Sequence, residues 1–123
     1  MGSEVVETNT FRSNPLTLAE YGLGDRCEEI NRAAAGLARR VCDRFAQESG
    51  IPRFVAGSIG PSGKLPSGTD PDLSNVTFDE LADVFYAQAK DLIEGGCDLL
   101  LIETSQDILE VKAAIWGIQR CFA

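Results

Sequence analysis

Two carboxylates that directly follow short apolar runs are the residues with the clearest chemical potential. Glu103 follows the four apolar residues of Leu99–Ile102, and Glu7 follows Val5 and Val6. A carboxylate in this position is costly to desolvate unless a positive or hydrogen-bonding group meets it. Glu103, and to a lesser extent Glu7, could therefore receive the ammonium group of a ligand or hold a proton. The alternative for both is a structural carboxylate that accepts hydrogen bonds from neighbouring backbone amides.

Smaller polar residues lie beside these carboxylates at the predicted strand ends. Thr8 and Asn9 offer a hydroxyl and an amide that can orient a polar ligand. Gly57 and Ser58 end the second apolar run, where the glycine either lets the backbone approach a ligand closely or simply turns the chain. Ligands of parallel α/β sheets bind beyond the carboxyl ends of the strands, so all four residues are candidates for a binding site there.

The composition excludes several kinds of catalytic site. The chain contains no histidine, so neither a Ser-His or Cys-His nucleophile pair nor a histidine metal site can form within it. The glycine-rich run at residues 57–64 departs from the phosphate-binding pattern, because it is one residue too long and Leu65 replaces the magnesium-binding Ser or Thr. The cysteines form no C-x-x-C pair, which argues against a zinc site or a disulfide framework and predicts buried or half-buried thiols at Cys27, Cys42, Cys97 and Cys121.

The charge balance limits the partners of the protein. Eleven Lys and Arg residues against nineteen Asp and Glu residues give a net charge of −8. This charge argues against binding to nucleic acid or to an anionic membrane surface. No apolar run approaches the roughly 18 residues of a membrane-spanning helix, and the first residues lack the basic and apolar regions of a secretory signal. These features predict a cytoplasmic protein without nucleic-acid or membrane partners.

Short apolar runs alternate with long stretches of helical periodicity, three times over. The runs, at residues 4–7, 53–57 and 98–102, are nearly continuous in apolar character, which predicts parallel strands buried on both faces. The β-α-β-α-β-α order predicts an α/β fold with right-handed crossovers. The connection after the second strand, residues 58–76, is rich in Gly and Pro, and a loop of this length indicates a functional role.

The predicted helices have recognisable ends and faces. A short helix is expected at residues 16–21. Asp25 and Thr77 each begin a capping-box pattern, Ser105 can cap the last helix, and Gly50 supplies a left-handed C-cap. The predicted apolar faces are Ile30, Ala34, Leu37, Val41 and Phe45 on the first long helix, Leu81, Phe85, Ala89, Leu92 and Ile93 on the second, and Ile108, Val111, Ile115 and Ile118 on the last.

A sheet of only three parallel strands is incomplete by the usual rules of α/β folds. It has two unpaired edges and cannot bury both of its faces well. Residues 1–123 are therefore expected to form a single incomplete domain, a segment of either a doubly wound sheet or a (β/α)8 barrel. A segment of this kind could hide its open sheet edges by self-association.

Several short motifs agree in order and spacing with one known family. They are ETNTF at residues 7–11, A-x-YGL at 19–23, EIN-x-AA at 29–34, VAGSIGPSG at 55–63, LLLIET at 99–104 and KAA at 112–114. Together they resemble the homocysteine-binding domain of cobalamin-dependent methionine synthase over about residues 5–123. The resemblance implies a (β/α)8 TIM barrel, of which this chain supplies about three β-α units, corresponding to the second to fourth strands with their helices.

The resemblance also implies a reaction and a binding site. In that family, zinc bound by cysteines of later strands activates homocysteine as a thiolate, which takes a methyl group from methylcobalamin to form methionine. Glu103 resembles the carboxylate that meets the homocysteine amino group, and Thr8, Asn9, Gly57 and Ser58 lie on the same rim. No cysteine of this chain matches the zinc motifs, so no catalytic or metal-ligating residue and no cofactor is expected on it, and the chain alone should be inactive.

Other readings of the sequence stay open. The implied partners are homocysteine, the rest of the barrel, and the folate and cobalamin domains of a longer enzyme. Betaine-dependent and S-methylmethionine-dependent homocysteine methyltransferases share the barrel, although the runs at residues 7–11 and 57–63 look closer to methionine synthase. The alternative of another class is a non-catalytic half-barrel that serves as a binding or assembly module.

Overall fold

The computed structural model describes residues 2–123 as three β-α units. One parallel sheet contains the strands in the order β1-β2-β3. A 3₁₀ turn at Gly24–Arg26 precedes the second helix. The strands are β1 (Val5–Glu7), β2 (Phe54–Ile59) and β3 (Leu99–Ile102), and the helices are α1 (Pro15–Ala19), α2 (Cys27–Ser49), α3 (Phe78–Glu94) and α4 (Ile108–Arg120).

The helices cover only one face of the sheet. Sequential strand order combined with right-handed crossovers places successive helices on the same side. Val55 and Ile59 of β2 point to that side and are fully buried. On the opposite side, Val5 and Leu99 are 47% and 44% exposed. The expectation of strands buried on both faces is therefore wrong, and the winding is that of a (β/α)8 barrel rather than of a doubly wound sheet.

The core lies between the helix-facing side of the sheet and helices α3 and α4. The predicted face of α3 is confirmed, because all of its members are buried except Ile93, which is half-buried. The core cluster is Ala35, Ile59, Leu81, Ala82, Phe85, Ala89, Leu92, Ala113 and Ala114. Apolar burial on this one side supplies the main stabilisation of the unit.

The predicted inner face of α4 is correct only in part, because Val111 and Ile118 are half-buried and Ile118 packs against the core, whereas Ile115 is exposed. The helix buries Glu110, Ala113, Ala114 and Gly117 and leaves Ile108 75% exposed. Small residues occupy the buried face because α3 and α4 pack closely. A Cβ atom at Gly117 would lie 2.4 Å from the carbonyl oxygen of Ala82. Close helix packing has therefore overridden the apolar periodicity of the isoleucines.

The apolar stripe of α2 also lies outside the core. Leu37, Val41 and Phe45 are exposed, whereas Ala35 and Cys42 are buried. The stripe follows the β1 edge of the sheet, where Val41 and Phe45 line a cavity of about 220 Å³ with other residues of that edge. A periodic apolar face thus identifies the helix correctly without identifying the surface that this unit buries.

The helix ends divide into confirmed and incorrect predictions. Thr77 and Glu80 form a complete capping box, and Gly50 ends α2 in the left-handed conformation with φ of 70°. Asp25 does not cap α2, which begins after the 3₁₀ turn without a side-chain cap. Asp107, rather than Ser105, caps α4 by accepting a hydrogen bond from the Leu109 amide. Within residues 2–123, no helix is both long and apolar enough to cross a membrane.

Two glycines inside helices should respond oppositely to alanine. Gly117→Ala should destabilise the fold by about 1–3 kcal/mol, because the new methyl group overpacks the contact with α3. Gly36→Ala should stabilise it by about 0.5–1 kcal/mol, because a Cβ there meets the flexible Arg40 side chain at 3.4 Å and the Gly95 carbonyl oxygen at 3.9 Å, an ordinary van der Waals distance. Urea unfolding measures both changes. Equal effects of the two substitutions would contradict the close packing of α3 and α4.

Candidate functional site

The carboxyl ends of β2 and β3 bring Ser58 and Glu103 together. The Ser58 hydroxyl donates a hydrogen bond of 2.5 Å to Oε1 of Glu103. Ser58 of β2 pairs with Leu101 of β3, and Glu103 lies two residues after Leu101 in the chain. Alternation along a strand therefore places both side chains on the helix-free face. This is the face that lies inside the barrel in a closed (β/α)8 fold.

The environment of Glu103 favours its charged form. The hydrogen bond from Ser58, together with one shared with the Glu7 side chain, holds the pKa of Glu103 below its ordinary value, against a smaller opposing effect of burial. Glu7 is the register partner of Ala56, so it lies on the same helix-free face. The arrangement is a half-buried carboxylate with a second carboxyl group beside it. Such a pair is suited to receive a positively charged group.

Two threonines that follow β1 form hydrogen bonds with the backbone of Ser58. The Ser58 amide donates to Oγ1 of Thr8 at 3.0 Å, and Oγ1 of Thr10 donates to the Ser58 carbonyl oxygen at 2.8 Å. The hydroxyls of the two threonines lie 2.6 Å apart, and Thr8 donates in this contact because the Thr10 proton is already engaged. Thr8 is therefore placed to fix the Ser58 backbone. Thr10 was missed by the sequence reasoning, although its spacing of two residues from Thr8 was a usable signal.

The other two candidate residues point elsewhere. Gly57 faces the helices, since a Cβ atom there would lie 2.9 Å from Leu100 and 3.2 Å from Leu92. The missing side chain thus serves the packing of β2 against α3. Asn9 is exposed and lines a groove beside α2 that includes Ile30 and Leu37. Of the five predicted site residues, Glu103 and Ser58 are therefore in direct contact, and Thr8 contacts the Ser58 backbone. Gly57 faces the helices and Asn9 lies in the groove beside α2, so neither belongs to this group.

The loop after β2 is attached to the first turn of α4. The Ser62 amide donates to Glu110 at 2.8 Å, and the Ser67 amide and hydroxyl donate to Asp107 at 2.7 and 2.8 Å. Carboxylates in a first helical turn are favoured by the helix dipole. Sequence reasoning missed this use of Glu110 and Asp107, because their partners lie 48 and 40 residues away.

A cavity and a strained residue lie next to Glu103. The cavity measures about 360 Å³ and is bounded by the loop after β2, Phe11, Gln106 and Thr104. Thr104 directly follows Glu103 and has a φ of 61°, a left-handed conformation that is unfavourable for a β-branched residue. Such strain concentrates at functional sites. Neither Glu103 nor Ser58 is among the residues that line this cavity, so the carboxylate and the cavity are separate features of the same end of the sheet.

The cysteines do not fit a zinc site. All four are free, two buried and two half-buried, which confirms the prediction for the thiols. Burial raises the pKa of Cys27 and Cys97 to about 11, so neither is a thiolate at neutral pH. Residues 2–123 contain no group of three or more Cys, Asp or Glu side chains that could hold a metal ion. Zinc ligation therefore has no support among the residues that the structure describes.

Removing the Ser58 hydroxyl should change the titration of one carboxyl group. In Ser58→Ala the pKa of Glu103 should rise towards its ordinary value, because the main hydrogen bond to the charged form is lost. An NMR pH titration that follows the side-chain carboxyl carbons measures this change.

Ser67→Ala is the matched control for this titration. Burial alone would raise the pKa of Asp107, but hydrogen bonds from Ser67, Leu109 and Glu110 hold it below its ordinary value. The control should therefore raise the pKa of Asp107 and leave that of Glu103 unchanged. An unchanged Glu103 titration in Ser58→Ala would contradict the described site.

Comparison with known families agrees with the fold and with the motifs. A sequence profile of the homocysteine S-methyltransferase family matches residues 1–122. The match spans nearly the whole chain and confirms the resemblance carried by the motifs at the strand ends. The one-sided winding is that of the barrel expected from this resemblance. The chain belongs to the homocysteine S-methyltransferase family.

Proposed function

We propose that this chain forms the amino-acid-binding wall of a homocysteine methyltransferase barrel of the cobalamin-dependent methionine synthase type. The observation that carries the proposal is the hydrogen bond from Ser58 to Glu103 on the helix-free face. It fixes a carboxylate at the carboxyl ends of parallel strands, where ligands of barrel enzymes bind. The substrate of this wall is homocysteine, and the product of the complete reaction is methionine.

Glu103 binds the ammonium group of homocysteine in this proposal. The amino acid carries that positive charge at neutral pH, and the lowered pKa of Glu103 keeps the carboxylate ionised under the same conditions. A charge-assisted hydrogen bond in a half-buried site contributes about 1.5–3 kcal/mol. Glu7 lies beside Glu103 on the same helix-free face, and a hydrogen bond between the two carboxyl groups helps to keep Glu103 in its charged form. Ser58 orients the carboxylate and so fixes the direction of approach.

Methyl transfer requires groups that residues 2–123 do not supply. When bound, zinc would lower the pKa of the homocysteine thiol so that the thiolate is the nucleophile. The described cysteines do not form such a site. We therefore propose that the chain by itself binds homocysteine without transferring a methyl group. Its partners in the complete reaction are the rest of the barrel and the folate and cobalamin domains.

The exposed apolar surface favours a second candidate function. Val5 and Leu99 on the sheet, and Leu37 and Phe45 on α2, are all exposed. Large exposed apolar surfaces are typical of interfaces. A half-barrel that acts as a binding or assembly module, associating through its open edges, would use these residues and would have no need of Glu103. Homocysteine binding separates the two candidates.

Isothermal titration with L-homocysteine tests the proposed function. The wild-type chain should bind saturably, and Glu103→Gln should bind about 10- to 100-fold more weakly because the ion pair with the ammonium group is lost. Glu4→Gln removes the same charge from an exposed glutamate distant from the strand ends and should not change the affinity.

A substrate analogue shows whether the ammonium group is the one recognised. 4-Mercaptobutanoate lacks the amino group, so it should bind the wild-type protein and Glu103→Gln with equal, low affinity. Unchanged binding of homocysteine by Glu103→Gln would contradict the role of Glu103. Absence of saturable binding by the wild-type chain would contradict the proposed function and leave the assembly module as the account to pursue.

A further inference from the structure

We propose that Gln88, a buried glutamine of α3, is a positioning residue for the Glu103 site. The inference rests on the proposed function for the role of Glu103, and on side-chain geometry for the rest. Gln88 is fully buried, and its Nε2 donates a hydrogen bond of 2.8 Å to the carbonyl oxygen of Thr10. The contact joins the middle of α3 to the segment that follows β1, across 78 residues of sequence.

A continuous series of hydrogen bonds runs from Gln88 to Glu103. Gln88 holds the Thr10 carbonyl, and the Thr10 hydroxyl donates to the Ser58 carbonyl at 2.8 Å. The Ser58 hydroxyl then donates to Glu103 at 2.5 Å. Each bond joins a different pair of structural elements, from α3 to the β1 segment, then to β2 and to β3. Displacement of Thr10 would therefore reach Glu103 through Ser58.

A second buried amide restrains the same segment. Nδ2 of Asn31, on α2, donates to the carbonyl oxygens of Ser13 and Cys27 at 2.7 and 2.8 Å. The Phe11 carbonyl in turn accepts a hydrogen bond from the Gly60 amide at 2.9 Å. Residues 10–13 are thus fixed by helices on one side and by the end of β2 on the other. Gln88 is the restraint nearest to the threonine that contacts Ser58.

Packing alone does not explain a glutamine at this position. Its Oε1 atom is buried and has no hydrogen-bond partner among the described residues. An unsatisfied buried oxygen destabilises the fold, whereas methionine has nearly the same length and no polar atom to satisfy. Gln88 gains the directional bond to Thr10 at 2.8 Å, and its Nε2 also makes a longer contact of 3.5 Å with Oδ1 of Asn31, the other side chain that restrains this segment. A role in placing the backbone of the site accounts for that bond.

The test measures the pKa of Glu103 in Gln88→Met by NMR titration of the carboxyl carbons. Loss of the Thr10 restraint should loosen Ser58 and raise the pKa of Glu103. Asp107, which depends on Ser67 rather than on Ser58, should titrate as in the wild type. Glu7 is the other titratable group that faces Glu103, so its carboxyl carbon is followed in the same spectra. Homocysteine affinity should fall about tenfold, the effect of losing one well-oriented hydrogen bond.

Two further variants separate positioning from loss of stability. Leu81→Val removes buried volume from α3 two turns before Gln88, and it should lower stability without changing the pKa of Glu103. Thr10→Val breaks the next bond in the series while preserving side-chain shape, and it should raise the pKa of Glu103 as Gln88→Met does. The Thr10 variant also supplies the decisive result if Gln88→Met does not fold.

The outcomes distinguish this inference from the proposed function. If the pKa of Glu103 keeps its wild-type value in folded Gln88→Met or in Thr10→Val, the positioning role is overturned, whether or not these variants bind homocysteine. A raised pKa of Glu103 in these two variants, together with an unchanged pKa in Leu81→Val, would support the role. Failure of the wild-type chain to bind homocysteine would instead count against the proposed function, because the titration requires no ligand.

Discussion

The placement of all long helices on one side of the sheet is the constraint on which the rest of the structure depends. It assigns alternate residues of each strand to two different environments. Val55 and Ile59 enter the apolar core, whereas Glu7, Ser58 and Glu103 meet on the opposite face. A doubly wound sheet would have covered that face with a second layer of helices. The same winding therefore creates the core and leaves the two carboxylates accessible.

Buried polar side chains from the helices fix the segments that carry the site. Gln88 and Asn31 hold the segment after β1, while Asp107 and Glu110 hold the loop after β2. Gln88, Asn31 and Glu110 satisfy backbone atoms of buried residues that would otherwise have no partner, and Asp107 holds the exposed Ser67. The strand ends are consequently supported from the helix layer rather than left as free loops. Such support is needed to keep the Ser58–Glu103 bond in one geometry.

Local signals in the sequence were sufficient for some features and insufficient for others. The strands, the Thr77 capping box and the Gly50 C-cap depend on residues close together in sequence, and they were predicted correctly. Glu103 could be singled out because a charge directly follows an apolar strand. The buried face of α4 and the partners of Glu110 could not be predicted, because they depend on close approach to α3 and on a serine 48 residues away.

A crystal structure of the protein with L-homocysteine bound would test the central claim most directly. The account predicts that the amino nitrogen lies within about 2.7–3.2 Å of a carboxylate oxygen of Glu103, on the helix-free face, with the Ser58 hydroxyl still donating to that carboxylate. Homocysteine bound elsewhere, or bound with its amino group directed away from Glu103, would contradict the account.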